Sequence, residues 1–427
     1  MLHPTPRTLV VILATTVVAL LPALIDERTW PVWTVCVALV SLFVGIDAVL
    51  VPGRRQLRLE ADWPRQFYVG SRHDITLTVH GLSDANAVVR VEHSEEASST
   101  VVEASSVDVR IVPERRGELQ VWRVWLRHGG PLGLVRRVTS FPVDEAIPIL
   151  PDVPKVQAQA LQFFGGRDGQ SGLKVERFAG DGSEFDALRE FMPGMDRRTI
   201  DWKASARHTK LLAREFRAER NHQIILAVDT GRLMAEPIEG VPRLDHAVHA
   251  ALLLAWVSLR HGDRAGLFTF ADRPDRFVPP RPGMRALASF VDQAARLDYS
   301  DAETNFTLGL TTLMSRLSRR SLVVVLTDFV DTVTAELMVE NLARVARRHL
   351  TMFVSLRDPR LDAIATAPLH DFADVDRSLV AESFLAERAL VNGRLDKLGV
   401  LCVDASPAIV GPTLVNRYLD IARRERI

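Results

Sequence analysis

Cysteine is nearly absent from this sequence, at two in 427 residues, and lysine and tyrosine are scarce, at five and three. Cys36 and Cys402 both sit in apolar runs, so the chain holds neither a disulfide framework nor a cysteine-rich zinc site. Net charge is absent too. Fifty-three basic side chains balance 53 acidic ones, which argues against a protein built mainly to bind nucleic acid. A phosphate-cradling loop is also missing. Lys174 follows the Gly165-Gly166-Arg167-Asp168-Gly169 stretch out of place, and no Ser or Thr comes after it. What remains is bulk: 47% hydrophobic and 25% charged residues suit two or three domains and exclude a disordered or wholly membrane-embedded chain.

The first fifty residues carry two long apolar runs. Thr8 to Ile25 has no charge and Pro31 to Val51 has only Asp47, each near the roughly 20 residues that span a bilayer as a helix. Trp30 and Trp33 fall where interfacial aromatics anchor. Arg7 precedes the first run, Arg54, Arg55 and Arg58 follow the second, and Asp26 and Glu27 lie between, so both ends are expected on the cytoplasmic side. A cleaved signal peptide is the competing reading of the first run, but no small-x-small site follows it. The expectation is a transmembrane helical hairpin over residues 1–56, holding a cytoplasmic body at the membrane.

Residues 57–152 alternate with a period of two, as in Ile75, Leu77, Val79 and in Val107, Val109, Ile111, and predict an all-β, Ig-like sandwich. Residues 153–221 read as a linker: Val153 to Ala179 as a flexible connection, then a helix from near Glu184 that Pro193-Gly194 breaks. Residues 222–427 alternate apolar strands with amphipathic helices, and predict a doubly wound α/β domain with a largely parallel sheet. Asp229, Asp328 and Asp404 each end a strand, so one sheet edge is acidic, where such folds place their sites.

Three loops of this last domain resemble a von Willebrand factor A domain, whose divalent ion is held by Asp-x-Ser-x-Ser, a Thr and an Asp. Asp229, Thr304 and Asp328 match, but Gly231 and Leu233 stand where the two serines would be. Hard cations want an oxygen-rich shell, so weak Mg²⁺ binding at most is expected. The alternative is that these acids cap helix N-termini.

The stretch Gly182-Ser183-Glu184-Phe185-Asp186 through Arg189, then Pro193-Gly194-Met195-Asp196-Arg197-Arg198 and Ile200-Asp201-Trp202-Lys203-Ala204-Ser205-Ala206-Arg207, resembles the signature of the bacterial domain-of-unknown-function-58 family. The paired N-terminal spans, Arg116-Gly117, Gly130-Pro131-Leu132-Gly133-Leu134 and the A-like domain extend the resemblance; Met195 stands where the family often has an acid. The resemblance implies partnership with a MoxR-type AAA+ ATPase and no established enzymatic activity. From the residues alone, Asp201 is expected to cap a helix from Trp202 to Phe216, with Lys203, Arg207, Lys210 and Arg214 along one basic flank. Glu184, Arg189, Asp196, Arg198, Asp201, Trp202 and Arg207 then form either a partner surface or an internal ion-pair knot.

Two thinner constellations complete the search. His246 and His249, beside Asp245, have the spacing of a zinc pair but lack the His-Glu-x-x-His context. Ser205 and His208 are close in sequence but have no orienting acid. No catalytic residue is assigned. The leading expectation is a non-enzymatic membrane adaptor for a MoxR-type ATPase or for envelope proteins. A metal-dependent hydrolase using the acidic strand ends is the alternative, and a nucleic-acid binder is disfavoured by neutrality and by the lack of interleaved aromatics.

Overall fold

A computed structural model describes residues 2–25, 30–82, 87–94, 98–102, 106–165, 179–192, 199–208, 210–217 and 222–424. The chain divides into two compact units, Met1–Leu150 and Pro151–Ile427.

In the first unit the apolar runs are helices α1 (Pro6–Ile25) and α2 (Trp30–Leu50). Pro31–Leu50 is long and apolar enough to cross a membrane, and Pro6–Val18 is a shorter apolar stretch. The strands are β1 (Leu2–Pro4), β2 (Arg58–Asp62), β3 (Phe67–Tyr68), β4 (His73–His80), β5 (Ala87–His93), β6 (Ser98–Val102), β7 (Ser106–Ile111), β8 (Gly117–Gly129) and β9 (Val135–Leu150). They form a sheet of order β1-β9-β8-β5-β6, with β3 on β9, and a three-stranded sheet β2-β4-β7. Every pairing is antiparallel except β3 with β9. The alternation read in the sequence is a burial pattern: Ile75, Leu77 and Val79 are buried on β4, and Val89 and Val91 on β5.

Asp47, the one charge in the second apolar run, is fully buried. Its Oδ1 accepts the Leu132 N–H at 2.9 Å, and its Oδ2 accepts those of Leu134 and Val135 at 2.7 and 2.8 Å. The Gly130-Pro131-Leu132-Gly133-Leu134 turn therefore closes over the end of α2. A Cβ on Gly130 would lie 2.2 Å from Asp47 Oδ1, so only glycine fits. Thr5 donates its hydroxyl to the Gly133 carbonyl at 2.9 Å, and Thr8 donates to that of Leu134.

The second unit begins with helix α3 (Val153–Gly165), where a flexible connection was expected. Val156 and Ala160, one turn apart, are buried in its core, and that burial fixes the helix. Next come β10 (Ala179–Glu190), α4 (Trp202–His208) and β11 (Leu212–Arg217), with β10 and β11 paired antiparallel. The expected helix from Glu184 is thus a strand, and the expected helix to Phe216 stops at His208. From Leu212 the backbone is committed to ladder bonds, such as Glu190 opposite Leu212, so Lys210 and Arg214 leave the helical flank predicted for them.

The central sheet follows: β12 (Gln223–Asp229), α5 (Arg232–Ala235), a short hairpin β13 (Pro237–Ile238) and β14 (Val241–Pro242), and α6 (Arg243–Arg260). Then come β15 (Arg264–Phe270), β16 (Pro274–Pro282), α7 (Met284–Ala295), α8 (Phe306–Arg316), β17 (Leu322–Leu326), α9 (Ala335–Ala346) and β18 (Leu350–Leu356). The chain ends with α10 (Pro359–Thr366), α11 (Phe372–Lys397), β19 (Leu401–Ala405) and α12 (Val410–Arg423). The sheet order is β16-β15-β12-β17-β18-β19, parallel except for the antiparallel edge strand β16. Ile224, Leu226 and Val228 face the core shared with α6 and α12, while Ile225 and Ala227 face the one shared with α8, α9 and α11. Both faces are covered, which is why the strands read as continuous apolar runs.

Candidate functional site: the acidic edge of the sheet

The chain runs from β12 to β15 and β16 on one side, then crosses back to β17 on the other. The carboxyl end of β12 is thus the switch point where open α/β sheets form a crevice. Asp229 ends β12 there, 2% exposed. Its Oδ1 accepts the Thr304 hydroxyl at 2.7 Å and the Gly231 N–H at 2.8 Å, and its Oδ2 accepts the Thr327 hydroxyl at 2.5 Å. Burial pushes its pKa up to about 6, against the pull of these three donors, with nearby Asp328 adding to the rise.

Asp328, 4% exposed, lies two residues beyond β17. Arg243, first residue of α6, donates Nε to its Oδ2 at 3.0 Å. Arg388, on α11, donates Nη1 to its Oδ1 at 2.8 Å. The same Arg388 donates Nε to Asp404 Oδ1 at 3.0 Å and Nη2 to the Leu356 carbonyl at 2.9 Å, and stacks 5.2 Å over the Phe329 ring. Arg357 grips Asp404 Oδ2 with Nε at 3.0 Å and Nη2 at 2.8 Å, and Ser355 donates to its Oδ1 at 2.9 Å. Burial alone would lower the Arg388 pKa, but the Asp328 and Asp404 carboxylates raise it above the ordinary arginine value. Burial would raise Asp404, and Arg388 foremost, then Arg357 and Ser355, hold it below the usual carboxylate range. One guanidinium thus ties the ends of two strands together.

Asp229, Thr304 and Asp328 do converge on one edge, as the loop resemblance implied, yet their arrangement does not fit a divalent ion. Both Asp328 oxygens are taken by guanidiniums. Gly231 is not merely a lost serine: a Cβ there would lie 2.1 Å from Thr304 Oγ1, so the Thr304–Asp229 hydrogen bond fills the space a serine would need. Among the described residues no group of three or more His, Cys, Asp or Glu could hold a metal. Nor do these acids cap helices: the N-cap positions of α5 and α9 are Gly231 and Thr334, neither with a side-chain cap, and the Gly231 and Phe329 amides that Asp229 and Asp328 accept, the latter at 3.0 Å, belong to loops.

The signature is placed less completely. Asp196 and Arg198 lie outside the described residues, as does the Glu184 side chain, although its backbone is in β10. Asp201 caps α4, its Oδ1 accepting the N–H groups of Lys203 and Ala204 at 3.0 Å each. Ser205 donates to the Asp201 carbonyl at 2.7 Å and accepts the Leu212 N–H at 2.8 Å, so its hydroxyl ties helix to strand. Trp202 is 70% exposed, and Arg189, Arg207 and His208 are exposed as well. The histidine pair does not converge either. His249 Nε2 accepts the Asp152 N–H at 2.9 Å, while His246 Nε2 sits 3.2 Å from the Ile238 carbonyl.

Sequence reasoning missed the arginines. In a chain with 48 of them, no spacing singles out Arg388, 60 residues from Asp328. A usable signal exists on its own helix: Arg388 is three and seven residues before the buried Val391 and Leu395, a charge on a buried stripe.

The sequence profile of the family described as "Protein of unknown function DUF58" matches residues 187–382. An uncharacterized Mycobacterium tuberculosis protein is 26% identical over 183 residues, 42% of this chain and 57% of its own length. Uncharacterized protein YeaD of Bacillus subtilis is 28% identical over 162 residues, 38% of each chain. The chain thus spans 57% of the length of the first relatives it matches, and 38% of YeaD. Among solved structures, the conserved hypothetical protein BatB of Bacteroides thetaiotaomicron is 13% identical, covering 48% of this chain and all of its own, with a TM-score of 0.32. The vWF domain of the type V pili tip protein Mfa5 of Porphyromonas gingivalis is 12% identical, covering 47% and 95%, with a TM-score of 0.29.

Proposed function

We propose that the protein is a non-enzymatic adaptor, anchored in the bacterial cell membrane by the α1–α2 hairpin with its body in the cytoplasm. It presents its A-like α/β unit to a MoxR-type AAA+ ATPase or to envelope proteins. The observation that carries this reading is the arginine network at the carboxyl edge. A hydrolase would need an acid free to bind a metal or to move a proton, and Asp328 and Asp404 are instead held by Arg243, Arg388 and Arg357. Asp229 is enclosed by two hydroxyls and an amide. The exposed Trp202 supports a partner surface, because a tryptophan left in water is the type of residue that anchors interfaces.

The test has two arms on the full-length protein. Protease added to intact spheroplasts is expected to leave the body uncut and to digest it only after lysis; digestion in intact spheroplasts would overturn the topology. Pull-down from a detergent extract under ATP is expected to retain the ATPase. A purified protein that retains no ATPase, and that hydrolyses esters or phosphoesters with a loss on Asp328→Asn, would replace the adaptor by the hydrolase.

A further inference from the structure

A cleft of ≈ 450 Å³ opens between the edge strand β16 and helix α7. Strand register sets its Arg281 end away from the acidic edge. Arg281 and Pro282 pair with Ala265 and Arg264 at the start of β15, whereas Asp229 pairs with Phe270 at its end. Arg276, Arg281 and Arg285 line the cleft, and among the described residues no carboxylate does. The acids nearby are already engaged: Asp275 with Arg276 at 3.1 Å, and Asp292 with Arg296 at 2.9 Å. Arg276 is also fixed from behind, by the Gln293 side chain at 3.2 Å and the Arg296 carbonyl at 3.0 Å. Arg281 and Arg285 are exposed, and their side chains make no hydrogen bond or ion pair with any described residue.

Two cations without a counter-ion, Arg281 and Arg285, beside the paired Arg276, give a local positive field in a chain of zero net charge. Guanidiniums match carboxylates geometrically as well as electrically, through paired N–H donors. Val278 and Ala286, half-buried, add apolar surface to the lining, while the Phe277 ring turns to the opposite face, where Arg316 covers it at 5.2 Å. The rim also limits how a partner can bind. Pro279, Pro280 and Pro282 have no N–H, so β16 cannot take up an added strand along this stretch, and recognition falls to side chains.

We propose that this cleft binds an acidic segment of a partner protein, with an apolar side chain resting on Val278 and Ala286 and flanking carboxylates paired with Arg281 and Arg285. The site shares no residue with the signature, and its test uses no ATPase, so this proposal and the adaptor reading can fail separately.

The test is fluorescence anisotropy on the full-length protein in detergent, with a labelled peptide of repeated Glu-Phe-Asp-Leu and a matched Gln-Phe-Asn-Leu control. The acidic peptide is expected to bind, the control to bind at least tenfold more weakly, and added salt to weaken the acidic peptide. The double variant Arg281→Glu/Arg285→Glu is expected to lose at least tenfold in affinity with an unchanged melting temperature, because both side chains are exposed. Arg319→Glu/Arg347→Glu makes the same charge change elsewhere on the surface and is expected to keep full affinity. The proposal falls if the wild-type protein shows no binding at millimolar peptide, if both double variants lose equally, or if the neutral peptide binds as well. Displacement by inorganic phosphate but not by chloride at equal ionic strength would reassign the cleft to a phosphate-bearing ligand.

Discussion

The carboxyl edge of the central sheet and the signature hairpin each centre on an aspartate, and they treat it in opposite ways. Asp328 is buried and paired with two guanidiniums, whereas Asp201 is half-buried and spends one oxygen on the amides of a seven-residue helix. Burying charge is costly unless every partner is present, so the edge holds its arginines for cohesion and leaves little free to react. The hairpin keeps Trp202 and Arg207 in water, where they add little to folding. The contrast separates what holds the unit together from what it can offer a partner.

The largest effect should come from breaking the edge. Arg388→Ala removes the group that ties Asp328 to Asp404 and leaves one buried and one half-buried carboxylate short of a cation. Loss of one partner of a buried pair costs about 3–5 kcal/mol, so a drop of several degrees in melting temperature is expected by calorimetry. Arg388→Lys should recover only part of it, since an ammonium cannot donate in the planar fork. If the arginines stand in for an ion, wild-type melting should not change with EDTA or with millimolar Mg²⁺ or Mn²⁺. A rise with Mg²⁺ that Asp328→Ala abolishes would reverse the comparison and make the edge a metal site.

The second effect is a pH dependence at the same edge. The folded pKa of Asp229, about 6, lies above its ordinary value of 3.8, so the fold favours the protonated acid. The penalty for ionising it is therefore complete above pH 6 and relieved as pH falls towards 4. At full ionisation it is about 3 kcal/mol, each pKa unit being worth about 1.4 kcal/mol. Asp229→Asn keeps the Gly231 and Thr304 bonds, and the Thr327 hydroxyl can turn to accept from the amide. The variant should gain stability over wild type above pH 6, and the gain should vanish near pH 4. An equal difference at both pH values would place the effect in packing instead.

How far the sequence carried each region follows from the range of the forces involved. The strands β12, β17 and β18 were legible because burial on both faces writes a continuous apolar run, and the convergence of Asp229, Thr304 and Asp328 was implied by the loop resemblance. Arg388 was hidden by distance along the chain. Strand β16 was hidden by Pro274, Pro279, Pro280 and Pro282, which remove the N–H groups a strand is read by and are tolerated only because β16 is an edge. In the signature, the Asp201 cap was legible because capping is local. The end of its helix was not, because Leu212–Arg217 is fixed by pairing with a strand more than twenty residues earlier in the chain. Gly231 was read as a missing ligand when its meaning was steric.

Crossing to the hairpin, Asp201→Ala should cost about 1 kcal/mol, the usual loss for an N-cap, because the Lys203 and Ala204 amides return to water at little further cost. The expected fall in melting temperature is clear but smaller than for Arg388→Ala. Equal falls would mean that the hairpin is as tightly built as the edge.

The smallest effect on folding belongs to Trp202 and Arg207, and it is the most informative about function. Both are exposed on α4, so neither truncation leaves a cavity or a buried charge, and Trp202→Ala and Arg207→Ala should each change stability by no more than about 0.5 kcal/mol. An interface anchor of either type can cost 2 kcal/mol or more in binding, so association with the ATPase should weaken about thirtyfold while melting stays where it was. Measuring both quantities on one preparation decides the matter. Retained binding with unchanged melting would remove α4 from any partner surface. A melting loss that matched Asp201→Ala, with binding intact in the folded fraction, would make the signature structural throughout and leave the adaptor to bind through another face.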